Sequence, residues 1–140
     1  MSTALWCLLG FAAWTWSLVV FGIGTIRVFK VLKGQEKPNA FPSDKPHGSE
    51  AYRRLLRAHA NCVENLPVFG AVVIIGALTN LQSDLFHTLA IVTLAARIGQ
   101  SIAHLSSGRS LIVNVRFTFF LVQIAAVSWM GLLVATNAAP

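Results

Sequence analysis

The chain has 140 residues, 55% of them hydrophobic and only 11% charged, with a formal net charge of +6. A soluble domain carries about 25% charged residues, so this composition excludes a soluble globular module and points to a single membrane domain, residues 1–140, with little outside the lipid. The basic excess does not indicate nucleic-acid binding, because the Lys and Arg residues collect at the ends of apolar runs and form no separate basic module.

The first predicted element is a helix over residues 4–33. It stays apolar from Ala4 to Arg27, where Arg27, Lys30 and Lys33 begin its polar end. That exceeds the roughly 20 residues needed to cross a bilayer. No basic region precedes the apolar run and the run is too long for a signal peptide, so it reads as a retained helix. Trp6 suits the interfacial belt. Residues 34–48, with Pro38, Pro42, Pro46, Gly34 and Gly48, form the longest loop. Ser49 then offers an N-cap for a second helix over 49–78. Pro67 removes a backbone donor and bends this helix locally. Gly70, Ala71, Gly76 and Ala77 permit close approach of neighbouring helices. A polar turn from Thr79 to Asp84 leads to a third helix over 85–105, and a short connection through Arg109 to a fourth over 111–134. The predicted fold is an all-α integral membrane protein, a bundle of four transmembrane helices.

Charge sets the orientation. Arg27, Lys30, Lys33, Lys37, Lys45, Arg53, Arg54 and Arg57 surround the first loop, Arg109 and Arg116 the third, and the second loop carries no Lys or Arg. The positive-inside rule places loops 1 and 3 in the cytoplasm and both termini outside. Cys7 and Cys62 show no disulfide or metal spacing and read as buried free thiols.

Three polar stripes interrupt the apolar helices. The second helix carries Arg54, Arg57, Asn61 and Glu64, the third Arg97, Gln100 and His104, and the fourth Arg116 and Gln123. Arg57, Asn61 and Glu64 stand at i, i+4 and i+7, on one helix face. Each stripe alone has an ordinary explanation. Arg54 and Arg57 can snorkel to the interface, His104 can serve a helix end, and Gln123 can bond between helices. Glu64 and Arg97 lie nearer mid-span, where an ionised group is costly and a buried ion pair is a poor stabiliser. Together the stripes imply a cationic pocket open to the cytoplasmic side, with Glu64 available for an ammonium group. A small peptide-like zwitterion with extra carboxylates fits that pattern. No metal cluster, phosphate-cradling glycine loop or Ser–His–Asp arrangement is present.

The stretch Arg57-Ala58-His59-x-Asn61-x-x-Glu64-Asn65, with Pro67 one place off the pattern, closely resembles the signature of the MAPEG family. These are membrane-associated proteins of eicosanoid and glutathione metabolism. The resemblance extends over most of the chain, through four helices, a long first loop and a helix-3 stripe that begins with arginine. It implies a homotrimer with glutathione as co-substrate, bound between subunits near the cytoplasmic side, and no metal. The glutathione-binding set it suggests is Lys37, Arg54, Arg57, Asn61, Glu64, Arg97, Gln100, His104 and Arg109. Arg116 matches the arginine that stabilises the glutathione thiolate, with Arg109 its rival for that role. His104 and Phe120 stand where the family commonly has tyrosine. The implied function is a membrane-bound glutathione transferase, with peroxidase turnover as a second outlet, acting on lipophilic electrophiles that arrive from membrane lipid. The implied location is a bacterial inner membrane or the endoplasmic reticulum. Two alternatives stay open: a non-catalytic glutathione- or lipid-binding protein of the same fold, and a small anion transporter. The near absence of charge in the outer half of every helix weighs against the transporter.

Overall fold

The computed structural model describes residues 1–42, 46–106 and 110–137. Four helices dominate it: α1 Thr3–Leu32, α2 Glu50–Leu78, α3 Asp84–Ser106 and α4 Ser110–Asn137. Each is long and apolar enough to cross a membrane, with mean hydropathies of 1.8, 1.6, 1.3 and 2.0 over their most apolar windows. At about 1.5 Å per residue, even the shortest reaches the roughly 30 Å of a hydrocarbon core. Helices suit that medium because they satisfy their backbone polar groups internally. No strand occurs among the described residues.

Local chemistry sets the helix starts. Ser2 Oγ accepts from Leu5 N at 3.4 Å, Ser49 Oγ from Tyr52 N at 3.2 Å, and Ser83 Oγ from Phe86 N at 3.2 Å. Each hydroxyl satisfies one of the donors that a first helical turn leaves open. Between α2 and α3 the chain reverses through Asn80, whose φ of 53° lies in the left-handed region that Asn tolerates.

One departure from the sequence reading lies inside α1. Leu18–Gly24 is a seven-residue π-helical segment. Thr25 Oγ1 donates to Val20 O at 2.8 Å, and a Cβ on Gly24 would stand 2.9 Å from Val19 O, so glycine permits this widened turn. Beyond it, Thr25–Leu32 buries no residue. That arm is tied down by Arg27, whose Nε donates to Tyr52 Oη at 2.8 Å while its guanidinium sits 5.3 Å from the Phe41 ring centre.

The core joins Phe11 of α1, Cys62, Phe69 and Val73 of α2, Phe86 and Ala90 of α3, and Met130 of α4. Phe11 and Phe69 meet with ring centroids 5.6 Å apart. Small residues bring the helices together. A Cβ on Gly99 would lie 2.7 Å from the Phe119 ring, and one on Gly76 at 2.7 Å from Phe86. Pro67 lies inside α2, which continues across it. Both cysteines are free and buried.

Candidate functional site

The ends of α2, α3 and α4 that adjoin the first and third connections enclose a cavity of about 820 Å³. Arg53, Arg54, Arg57 and Asn61 of α2 form one wall, Gln100 and His104 of α3 a second, and Val113, Arg116, Phe117 and Phe120 of α4 a third. Pro46 and Glu50 edge it from the first loop and the start of α2. The Ser49 cap therefore fixes the turn from which Glu50, Arg53 and Arg54 project.

His104 is the hinge of the polar network. Its Nδ1 lies 3.1 Å from Arg116 Nη1 and its Nε2 3.4 Å from Asn61 Nδ2. A guanidinium only donates, so Nδ1 is the acceptor in this contact and the ring hydrogen falls on Nε2. Asn61 Nδ2 also donates to Arg57 O at 2.9 Å. The result is two donors, His104 Nε2–H and the Asn61 amide, side by side on the cavity wall. They call for an acceptor from a ligand.

Arg116 is positioned by its backbone as well. Gln123 Nε2 donates to Gln100 Oε1 at 3.1 Å, and Gln100 Nε2 in turn donates to Arg116 O at 3.1 Å. Gln123 Nε2 also donates to Phe119 O at 2.8 Å. This amide relay ties α3 to the helical turn that carries the guanidinium. Glu50, 3.5 Å from Arg54, is the single carboxylate lining the cavity among the described residues and is already paired. Among the described residues the lining thus carries four guanidinium groups against one carboxylate, which favours an anionic ligand.

Of the residues singled out from sequence, Arg54, Arg57, Asn61, Gln100, His104 and Arg116 line this one cavity. Others lie elsewhere. Glu64 is exposed on the outer face of α2, away from the cavity of its own chain. Lys37 is exposed in the first loop and also off the cavity. Arg109 lies outside the described residues.

Arg97 is sequestered inside the bundle, 1% exposed, with its guanidinium 5.4 Å from the Phe11 ring centre. Its Nε and Nη2 have no hydrogen-bond partner, and no ion pair joins it to Glu64 among the described residues. It shares a helix face with Gln100 and His104, but one turn deeper, where α1 packs across α3. Arg116 meets His104 of its own chain. Arg53 was missed as a site residue because, in an Arg53-Arg54 pair at a helix start, snorkelling gives the same pattern. Pro46 and Glu50 carried no sequence signal beyond loop and cap. No metal-ligand cluster occurs among the described residues.

No curated protein matches the chain. The family model described as MAPEG family matches residues 3–136. With nearly the whole sequence covered and four membrane-spanning helices in place, this multi-pass membrane protein belongs to the MAPEG family.

Proposed function

We propose that the protein is a membrane-bound glutathione transferase that activates glutathione as a thiolate for attack on lipophilic electrophiles. One observation carries this reading: four arginines converge on a cavity whose one carboxylate among the described residues is already paired. Its volume lies in the usual range for small-molecule sites. Glutathione brings two carboxylates, an ammonium and a thiol, and Arg53, Arg54 and Arg57 are placed to take the carboxylates. Membership of a family of glutathione and eicosanoid metabolism agrees with that ligand.

The thiolate is the nucleophilic form of the thiol. A guanidinium beside the sulfur stabilises it without losing its own proton. Arg116 is the candidate, since its side chain reaches the cavity while His104 and Gln100 hold its position. Sulfur then bonds to the electrophilic carbon and the leaving group departs with its electron pair. Val113, Phe117 and Phe120 make the α4 wall apolar, a suitable approach for a lipid-dissolved electrophile. The enzyme works as a homotrimer with loops 1 and 3 on the cytoplasmic side, and Glu64 meets its ligand or partner across a subunit boundary.

A second reading is a binding protein without turnover, favoured by Phe120, which leaves His104 as the neutral polar group beside Arg116. Conjugation of a chromogenic aryl halide to glutathione by the purified protein separates the two. Turnover that is saturable in glutathione is expected. Binding without conjugation or peroxide reduction assigns the protein to the second reading, and absence of binding rejects both.

A further inference from the structure

The last turns of α1 stand apart from the bundle. The helix has 30 residues, about 45 Å of length, against the roughly 30 Å of a hydrocarbon core. Its apolar run begins at Ala4, with Trp6 exposed in the first turns. The roughly 20 residues of a span therefore end with the π-helical segment, at Gly24. Thr25–Leu32 emerges at the level of the lipid headgroups, next to the basic first loop. No other helix runs alongside this arm among the described residues. Its first turn ties it to the body, through Ile26 and through Arg27, which reaches Tyr52 and Phe41.

The outer side of the arm is apolar. Val28, Phe29 and Leu32 are 55%, 57% and 79% exposed. At about 100° per residue they share one side of the helix, with Ile26 and Arg27 on the other. Lys33 follows Phe29 by one turn, and its Nζ stands 5.8 Å from that ring's centre. Lys37 is exposed in the loop just beyond. Lys30, on the inner side, is turned to Glu36 at 3.9 Å. An apolar stripe edged by ammonium groups is the pattern of a helix that lies in the membrane interface.

We infer that this arm binds anionic phospholipid: acyl chains cover Val28, Phe29 and Leu32, while Lys33 and Lys37 meet the phosphate and the charge of the headgroup. Lysine suits that task, as a point charge on a flexible apolar stem. Charge decides between lipid and a second copy of the chain. The acids at this end, Glu36 and Glu50, are already paired with Lys30 and Arg54. Lys33, Lys37, Arg53 and Arg57 have no ion-pair partner among the described residues, so two such ends would repel. Tyr52, to which the arm is tied, lies twelve residues before Glu64, about 18 Å along α2. The subunit boundary proposed at Glu64 does not call on the arm. Nor does the inference depend on the glutathione reading.

The test is lipid quenching of a fluorophore on the full chain. Leu32→Cys is labelled with bimane in nanodiscs of mixed phosphatidylcholine and phosphatidylglycerol. The native thiols, both buried, stay in place, and the parent chain serves as the labelling blank. One lipid or the other carries bromine on its acyl chains, at equal mole fraction. Brominated phosphatidylglycerol is expected to quench as if enriched about fivefold or more around the arm, the attraction of one or two basic residues at a membrane surface. Lys33→Gln combined with Lys37→Gln, both at exposed positions, is expected to make the two lipids equal, as is molar salt. Equal quenching in the singly substituted chain overturns the inference, and so does a preference that survives removal of both lysines. Quenching by neither lipid also overturns it, because water or another copy then surrounds the arm.

Discussion

Arg116 has a role that a lysine cannot reproduce. Its Nη1 rests 3.1 Å from His104 Nδ1, and the remaining N–H groups of the fork stay available to a ligand sulfur or carboxylate. Arg116→Ala is expected to lower kcat by about 10²-fold, the usual loss when one electrostatic donor to a developing anion is removed. Arg116→Lys restores charge but not the fork and should recover only part of it. Stopped-flow measurement of thiolate absorbance on glutathione addition checks the cause: the signal should vanish in Arg116→Ala while glutathione still binds. An undiminished signal would move the role to another arginine, Arg109 first. Gln100 acts through Arg116, as a positioning residue. Gln100→Leu should reduce kcat with little change in glutathione affinity, and Gln100→Glu, which cannot donate to Arg116 O when ionised, should not rescue it. A rise in KM alone would make Gln100 a ligand contact instead. Arg97 is a different case. Its buried guanidinium has a thiol neighbour in Cys62 and a ring in Phe11 but no anion within ion-pair distance among the described residues. Replacing a buried charge by an apolar side chain of similar length is often neutral or stabilising. Arg97→Met should therefore leave the thermal unfolding midpoint unchanged or higher, and a large fall would show that the assembled protein supplies an anion.

Helices position these residues through a few close contacts. The Ser49 cap and the Gly99–Phe119 approach matter most, since one orders the start of α2 and the other sets the spacing of α3 and α4. Ser49→Ala should cost about 1 kcal/mol of stability. Gly99→Ala should cost more, about 1–3 kcal/mol, because the added methyl would meet the Phe119 ring at 2.7 Å and force a shift. Thermal unfolding by circular dichroism checks both, and the order of the two losses is the point at issue. A Gly99→Ala protein as stable as the parent would mean the ring swings aside without cost.

The elements themselves were legible in the sequence, because hydropathy, serine caps and proline-rich connections all point to the same four helices. The π-helical turn in α1 was not. The apolar run Leu18–Gly24 has the composition of an ordinary membrane helix, and only its backbone in the structure reveals the widened turn. For the site, helical spacing showed which polar residues share a face but not how deep each sits. That is why Arg97, Gln100 and His104 read as one stripe, although only the last two reach the cavity.

Taken as a whole, the single chain leaves a problem at Glu64. The residue is exposed on α2 between Val63 and Asn65, with Val63 and Val68 nearby at 47% and 58% exposure. A carboxylate on a face otherwise fit for lipid is costly unless protein, water or a cation covers it. Arg97 cannot do so within the chain, since no ion pair links them, and the cationic cavity does not include Glu64. A neighbouring copy resolves the problem, because it would cover α2 and bring its own cationic groups to the carboxylate. The proposed homotrimer makes this testable. Light scattering in mild detergent should give three chains per particle, and glutathione should bind in proportion to intact particles. Glu64→Gln keeps size and hydrogen bonding but removes the charge, so the trimer should persist while glutathione affinity falls by about tenfold, the loss of one charge-assisted hydrogen bond. Glu64→Leu, which suits lipid, should likewise persist as a trimer and bind still more weakly. A monomer that binds glutathione with undiminished affinity would confine the site to one chain and leave Glu64 without a ligand role. A trimer unchanged in affinity by either substitution would instead make the carboxylate a contact between subunits.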